Sequence, residues 1–228
     1  MVKKTAVMAI DSLAVDKLRE LEAKARKLGL NERLLIENAS SNLYAVIEKL
    51  KFPKNVLAVA GRGNNGADVA ACARKMIGRG YKVSLAVVAP KELNRECAFQ
   101  IELLKNIAAD IFWIKKPRDT DSLDKLISRC SFILDGILGI GVKGTVDPFL
   151  RKVIKKLNDS GRPIVACDIP SGLCPERGKV LGEAINARAT VTFIAPKRGF
   201  FLGQGVNRCG KIFVVDIGIS RDSLDSVP

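Results

Sequence analysis

Residues 55–68, NVLAVAGRGNNGAD, join an apolar run to a glycine-rich loop. The apolar run predicts a buried strand over Val56–Ala60, and the loop after it carries the spacing G-x-G-x-x-G. A helix predicted over Ala67–Arg79 follows and ends at Gly80. A strand, a glycine loop and a helix in this order are typical of a turn that binds an anion through backbone N–H groups and a helix N-terminus.

The same alternation continues to the end of the chain and predicts a parallel sheet with helices on both faces. The further predicted strands are Lys82–Val88, Ile111–Ile114, Phe132–Leu134, Pro163–Cys167, Thr190–Ile194 and Lys211–Val215. The predicted helices between them are Arg95–Ala108, Ser122–Cys130 and Pro148–Asn158. Two more helical patterns come first, one from a cap at Ser12 to Gly29 and one from Asn31 to Leu50.

These patterns indicate an α/β protein, a three-layer doubly wound Rossmann-like domain with a mostly parallel sheet and an N-terminal helical extension. We interpret residues 1–228 as one domain, with the helices over 1–52 and the core over 53–218.

Composition excludes several kinds of site. The chain has 228 residues and no histidine, which excludes Ser-His-Asp and Cys-His catalysis. Its six cysteines form no C-x-x-C pair, so reduced, packed thiols are expected instead of a zinc site or a disulfide framework. The apolar runs are far shorter than the roughly 20 residues that cross a bilayer. The N-terminal stretch MVKKTAVMAIDS lacks the apolar core of a signal peptide, so a cytoplasmic location is expected.

The formal net charge of +14 suits an anionic ligand, a nucleic acid or a merely basic surface. The basic residues are spread along the chain, and aromatic residues make up only 5% of it. Stacking platforms for single strands need aromatics among the basic groups. Nucleic acid is therefore not the expected partner.

Polar loops follow four of the predicted strands, and in such sheets ligands bind beyond the carboxyl ends of the strands. The loops are GRGNNGAD, DGILGIGVKGT, DIPSG and APKRG. Asp135 and Asp168 each end a buried strand, where a carboxylate is costly unless it is paired or bound, although helix capping is an alternative role. Lys197 is placed to contact a phosphate or a carboxamide, with a solvated surface lysine as the alternative. No acidic residue for a ribose follows the second strand, which disfavours an ordinary hydride-transfer cofactor.

Four motifs in order, GRGNNGAD, DGILGIGVKG, DIPSGL and ATVTFIAPKRG, resemble those of the NAD(P)H-hydrate epimerases, the YjeF N-terminal-domain family. The resemblance extends over most of the chain and includes the helical segment Leu34–Ala39. It implies an isomerase that interconverts the R and S forms of hydrated NADH and NADPH (NADHX and NADPHX) at carbon 6 of the nicotinamide ring. In this metabolite-repair step, a separate S-specific dehydratase then restores the cofactor. A homodimer is a further expectation.

The resemblance also implies which residues form the site. The substrate-binding residues are Asn64, Asn65, Gly66, Ala67, Asp68, Gly139, Ile140, Gly141, Val142, Lys143, Gly144, Thr145 and Asp168. A potassium ion is implied at Asn65, Asp135 and Ser171. Loss of the hydroxyl from carbon 6 gives an iminium-like cation, and water can return on either face. We take Asp168 as the acid/base of this reaction and Lys197 as a helper that orients the substrate or tunes the carboxylate.

The glycine loop departs from the family pattern at two positions. The family loop reads GNNGGDG, whereas Ala67 and Val69 stand here in place of two glycines, and a methyl at residue 67 is expected to crowd a phosphate.

The alternative function is a non-catalytic nucleotide- or RNA-binding module on the same fold, as in messenger-RNA decapping scaffolds. The basic charge favours that module. An intact set of Asn65, Asp135, Asp168 and Ser171 favours the enzyme.

Overall fold

The computed structural model describes residues 12–107 and 109–218. Their seven strands form one sheet in the order β3-β2-β1-β4-β5-β6-β7, and every neighbouring pair is parallel. The strands are β1 Asn55–Ala60, β2 Lys82–Val88, β3 Asp110–Ile114, β4 Phe132–Gly136, β5 Ile164–Cys167, β6 Ala189–Phe193 and β7 Lys211–Val215. The strand order reverses between β1 and β4, so the predicted doubly wound sheet is confirmed.

Helices cover both faces of the sheet. They are α1 Val15–Lys27, α2 Glu32–Leu50, α3 Asn64–Ile77, α4 Arg95–Asn106, α5 Asp121–Arg129, α6 Pro148–Asp159 and the single turn α7 Gly205–Arg208. Alternate side chains of β1 belong to different layers. Ala58 packs with α2, α3 and α4 on one face, and Leu57 packs with α5 and α6 on the other. Every β1 side chain after Asn55 is buried, as its continuous apolar run predicted.

Helix α1 lies near the carboxyl end of β6. Leu18 and Leu21 pack against α2 and against Ala195, which follows β6. The N–H of Leu13 donates a hydrogen bond to the carbonyl oxygen of Pro196 at 2.9 Å. These contacts place the N-terminal helix beside the segment that carries Lys197.

Two helix starts differ from the sequence prediction. Helix α3 begins at Asn64, three residues before the predicted Ala67, because Gly63 adopts an extended conformation and its carbonyl accepts the N–H of Ala67 at 3.0 Å. The two asparagines therefore lie in the first helical turn and not in the loop. Helix α1 begins at Val15 and not after Ser12, and its first N–H donates to Glu176 Oε1 at 2.5 Å. Two predictions concern residues outside the described ranges. They are the first eleven residues of the predicted helical extension and the predicted helix end at residue 108.

The cysteines are free, and five of the six are buried, so the expected packed thiols are confirmed. Within the described ranges, no helix has the length and apolar character needed to cross a membrane.

Candidate functional site

Glycines bring the loops after β1 and β4 into contact at the carboxyl edge of the sheet. A Cβ at Gly61 would lie 1.9 Å from the carbonyl oxygen of Ile137, and one at Gly66 would lie 2.0 Å from the carbonyl oxygen of Gly61. At Gly136 a Cβ would meet Cγ2 of Val69 at 2.4 Å. A side chain at any of these positions would force backbone apart. The glycines therefore fix how closely helix α3 approaches the loop after β4.

A hydrogen-bonded cluster forms where these loops meet the loop after β5. The Ser171 hydroxyl donates to Asp135 Oδ1 at 2.6 Å, and the Ser171 N–H donates to Oδ2 at 2.9 Å. The Leu138 N–H donates to the Ser171 hydroxyl oxygen at 2.8 Å, and the Leu138 carbonyl accepts from Asn65 Nδ2 at 2.9 Å. The backbone of Leu138 thus brings together the side chains of Asn65, Asp135 and Ser171, the three residues predicted to bind potassium.

Two oxygens of this cluster are suited to a cation. Burial raises the pKa of the fully buried Asp135 to about 6, although hydrogen bonds from Ser171 and from the N–H of Ile137 favour the charged form. Asn65 Oδ1 is buried and has no hydrogen-bond partner within the described part of the chain. A buried amide oxygen without a donor, in one cluster with a buried carboxylate, is a ligand set for a hard cation. Among the described residues, no three Cys, Asp or Glu side chains form a metal-binding group, so neutral oxygens would have to complete this site.

Asp168 and Lys197 form a buried ion pair beyond the ends of β5 and β6. The Lys197 ammonium donates to Asp168 Oδ1, and it also donates to the Thr192 hydroxyl oxygen at 2.7 Å. The side chain of Lys197 is 2% exposed and that of Asp168 is 13% exposed. Lysine is almost never buried to this extent without a partner. The alternative of a solvated surface lysine is therefore wrong.

The backbone around this ion pair is strained. Asp168 has a φ of 61°, in the left-handed region that aspartate tolerates better than most residues. Ile194 has a φ of 66°, which is an outlier for a β-branched side chain. The Ala195 N–H closes a tight turn onto the carbonyl of Phe193 at 2.7 Å. Such residues cost about 1–3 kcal/mol each and cluster at functional sites, where the surrounding structure holds them in place.

Asp68 is a third carboxyl group at this edge, after Asp135 and Asp168. It lies on helix α3, is 8% exposed, and has no hydrogen-bond or ion-pair partner among the described side chains. Burial raises the pKa of Asp68 well above its ordinary value. The negative charges of Asp168, Glu22 and Glu32 raise it further, whereas Lys197 lowers it. The environment therefore favours the neutral acid at Asp68.

The two N-terminal helices contribute carboxyl groups that the sequence analysis missed. Burial raises the pKa of Glu22 on α1, and the charge of Asp168 adds to this effect. Arg26 lies 3.2 Å from a carboxylate oxygen of Glu32 and 4.0 Å from one of Glu22. Glu32 accepts a hydrogen bond from the side chain of Asn64 at the start of α3. Acidic residues on an amphipathic helix normally face solvent, so the sequence carried no signal for this arrangement.

The predicted substrate loop after β4 is only partly packed against the cluster. A Cβ at Gly139 would lie 3.2 Å from Asn65 Cβ, so the backbone of Gly139 passes close to that side chain. Ile140 packs against the apolar group that includes Ile169, and Val142 packs against the apolar cluster of helices α5 and α6. The remaining residues are exposed: Gly141, Lys143, Gly144 and Thr145.

Ala67 and Val69, which replace two glycines of the family loop, are completely buried. Both belong to the apolar cluster between α3 and the sheet, together with Ala58 and Val56 of β1. Their side chains fill this core and do not occupy the open side of the edge.

The family model described as "YjeF-related protein N-terminus" matches residues 32–199. This chain belongs to that family. It is 36% identical over 197 residues to the NAD(P)H-hydrate epimerase of Weissella koreensis, covering 85% of this chain and 84% of that protein. It is 34% identical over 213 residues to the NAD(P)H-hydrate epimerase of Lentilactobacillus buchneri, covering 92% of this chain and 95% of that one.

Longer relatives and a solved structure also match this YjeF-related chain. The bifunctional NAD(P)H-hydrate repair enzyme of Salinibacter ruber is 33% identical over 208 residues, which cover 86% of this chain but only 38% of that protein. The crystal structure of the yeast protein ynu0 has a TM-score of 0.79 and 21% identity, and the match covers 93% of this chain and 91% of the yeast chain. That likeness shows the fold.

Proposed function

We propose that this YjeF-related protein is an NAD(P)H-hydrate epimerase, which interconverts the R and S forms of NADHX and NADPHX at carbon 6 of the nicotinamide ring. Relatives that match over more than four fifths of both chains bear this name. The observation that carries the proposal is the buried Lys197–Asp168 ion pair, held on strained backbone at the carboxyl edge of the sheet. A non-catalytic module has no need for such a costly arrangement.

Carboxyl groups suit the chemistry of this reaction. When the hydroxyl leaves carbon 6, positive charge develops on the ring nitrogen and carbon 6. Groups of opposite charge in a poorly solvated site stabilise such a charge most strongly. Asp168 would exchange protons with the substrate or with water, and Lys197 would hold its carboxylate in place. The Thr192 hydroxyl oxygen also accepts a hydrogen bond from Lys197.

The substrate would be held by the first turn of α3 and by the loop after β4. The predicted contacts Asn64 to Asp68 open helix α3, whose N-terminal N–H groups suit an anionic part of the dinucleotide. Of these residues, Ala67 would contribute backbone only, because its side chain is completely buried in the core. The predicted contacts Gly139 to Thr145 include the half-buried Gly139, which passes close to Asn65, and four exposed residues further along the loop. The nicotinamide end of the substrate would then lie over the carboxyl groups.

A potassium ion would be held by Asn65, Asp135 and Ser171. The orphan Asn65 Oδ1 and the buried carboxylate of Asp135 support this assignment. When bound, the ion would neutralise Asp135 and stabilise the three loops that meet at Leu138. The residues themselves determine where the loops sit, through the hydrogen bonds of Ser171 and Leu138.

The reaction would supply a dehydratase that acts on the S form alone. Bifunctional relatives named NAD(P)H-hydrate repair enzymes support this coupling. The homodimer and the cytoplasmic location stay predictions.

The test uses a mixture of R and S NADHX with potassium and an excess of an S-specific dehydratase. Without an epimerase, only the S fraction returns to NADH, which is followed by its absorbance. We expect this protein to drive the R fraction to NADH as well, and the Asp168→Asn variant to lose that activity while it keeps its circular dichroism spectrum. An R fraction that persists at high protein concentration would contradict the proposed function.

A further inference from the structure

Two of the aspartates in the site, Asp68 and Asp168, have sharply different surroundings. Asp168 is ion-paired with Lys197 and accepts further hydrogen bonds from the Thr192 hydroxyl and the Phe193 N–H, each at 3.3 Å. Asp68 is more than nine-tenths buried and receives no hydrogen bond or ion pair from any described residue. A buried carboxylate without donors is costly, whereas a neutral carboxylic acid is tolerated. Two carboxyl groups with opposite environments are the usual arrangement of a proton donor beside an acceptor.

The charged groups that act on Asp68 come from four different segments of the chain. Asp168 after β5, Glu22 from α1 and Glu32 from α2 disfavour its charged form, and Lys197 after β6 favours it. The neighbouring thiols are Cys72, Cys97 and Cys167, whose pKa values are all raised by burial, that of Cys97 to about 12. These thiols stay neutral at physiological pH. The balance of charges facing Asp68 is therefore negative.

Taking the proposed function as the basis, we propose that Asp68 donates the proton to the departing hydroxyl of carbon 6 and that Asp168 accepts the proton of the incoming water. Asp68 gives its proton to the hydroxyl oxygen, the carbon–oxygen bond breaks, and its electron pair leaves with a water molecule. The lone pair of the ring nitrogen forms the double bond to carbon 6.

Water then attacks carbon 6 from the opposite face. One of its electron pairs forms the new carbon–oxygen bond, and its proton passes to the carboxylate of Asp168. The ring nitrogen recovers its lone pair. Asp68 is now charged and Asp168 neutral, so proton exchange with solvent restores the starting state. In the conversion of S to R the same steps run in reverse, and the neutral Asp168 donates the proton while the charged Asp68 accepts one.

The Asp68→Asn variant tests the donor role, because an amide keeps the shape of the side chain and cannot protonate a leaving hydroxyl. We expect kcat to fall by a factor on the order of 10²–10⁴, the range typical of a general acid, with KM within about threefold of wild type. In the wild type, kcat should fall as pH rises through the pKa of Asp68, since only the neutral acid donates. That falling limb should be absent from the residual activity of the variant.

Three further variants test whether Asp68 itself is the proton donor. Asp68→Glu restores a carboxylic acid and should recover part of kcat with a shifted limb. Glu22→Gln removes the neighbouring carboxyl group on α1. If it abolishes the limb and Asp68→Asn does not, the donor is Glu22 and the proposal is wrong. Asp124→Asn, an exposed aspartate on α5 that pairs with Lys156 on α6, is the matched control and should behave as wild type.

A stability measurement reads the protonation state of Asp68 without any substrate. A carboxyl group whose pKa is raised in the folded protein binds a proton there that the unfolded chain has already lost. Stability then falls as pH rises above the unfolded pKa of about 4. Asparagine does not titrate, so the Asp68→Asn variant lacks this loss of stability. The melting temperature of the variant minus that of the wild type should therefore increase as pH rises from 4 to neutrality. A constant difference would overturn the neutral acid at Asp68.

The outcomes separate the two proposals. An active wild type with an Asp68→Asn variant that keeps kcat within about threefold overturns the donor role alone. A wild type that leaves the R form unchanged overturns the proposed function and the donor role with it. In that case the stability measurement still decides whether Asp68 is a neutral acid.

Discussion

At the scale of single residues, the buried pair of Lys197 and Asp168 is the most demanding feature of the molecule. Both groups are largely removed from water, and the attraction between them offsets part of the cost of burying each charge. Thr192 and the backbone N–H of Phe193 complete the surroundings of the carboxylate. Removal of one partner should therefore lower the free energy of unfolding more than removal of both.

We predict that Lys197→Met lowers the free energy of unfolding by about 3–5 kcal/mol, because it leaves the Asp168 carboxylate buried and unpaired. The double variant Lys197→Met with Asp168→Asn should recover most of that loss, and asparagine also tolerates the positive φ at residue 168. Neither variant should epimerise NADHX. Chemical denaturation of the three proteins checks this prediction, and a double variant as unstable as the single one would contradict it.

A second prediction concerns Ala67, which stands in place of a family glycine. Its methyl group is completely buried in the core behind α3 and so should not affect the substrate. Ala67→Gly should lower stability by about 1–2 kcal/mol, because it removes a buried methyl group and adds backbone freedom to a helix. It should leave kcat/KM within about twofold. An increase of tenfold or more would mean that the methyl group does obstruct the substrate, as the sequence alone suggested.

At the scale of elements, the apolar runs predicted the strands well. A continuous apolar run such as that of β1 reports burial on both faces, which depends only on residues near in sequence. The start of α3 was predicted three residues too late, because asparagine and glycine are typical of loops. The close approach of Gly66 to Gly61 and of Gly136 to Val69, which fixes this turn, joins residues that the sequence pattern does not relate.

The candidate site, too, could be predicted only where a general rule or a local pattern applies. The loops after β1, β4, β5 and β6 were predicted to converge, since the rule for parallel sheets is general. The contribution of Glu22 and Glu32 could not be predicted, because it depends on how α1 and α2 pack across the edge. Tertiary packing of this kind leaves no periodic signal in the sequence.

A third prediction belongs to the junction of the loops after β1, β4 and β5. Potassium should raise the melting temperature, because a cation that binds only the folded state stabilises it by about 2.7 kcal/mol at 100 times its Kd. Choline chloride at the same concentration controls for ionic strength. Asp135→Asn should abolish the difference between the two salts, since the charge that would hold the ion is gone. Equal melting temperatures of the wild type in both salts would contradict the assigned cation site.

At the scale of the whole molecule, charge is distributed unevenly. The net charge is +14, yet the carboxyl edge gathers Asp68, Asp168, Glu22 and Glu32 around one buried lysine. A site of this kind favours a substrate that becomes positive during the reaction. The surplus of lysine and arginine therefore lies elsewhere on the surface, where it can attract polyanions without contributing to catalysis.

A fourth prediction follows for the alternative of an RNA-binding module. Labelled single-stranded RNA should bind with a Kd in the range of about 1–100 µM at physiological salt, typical of non-specific attraction to phosphates, and the affinity should fall steeply as salt rises. RNA at saturating concentration should not inhibit epimerisation at the acidic edge. Fluorescence anisotropy across a salt series, with the coupled NADHX assay run in parallel, checks both statements. Nanomolar binding at physiological salt, or competition between RNA and NADHX, would mean that the basic surface and the carboxyl edge act as one nucleic-acid site.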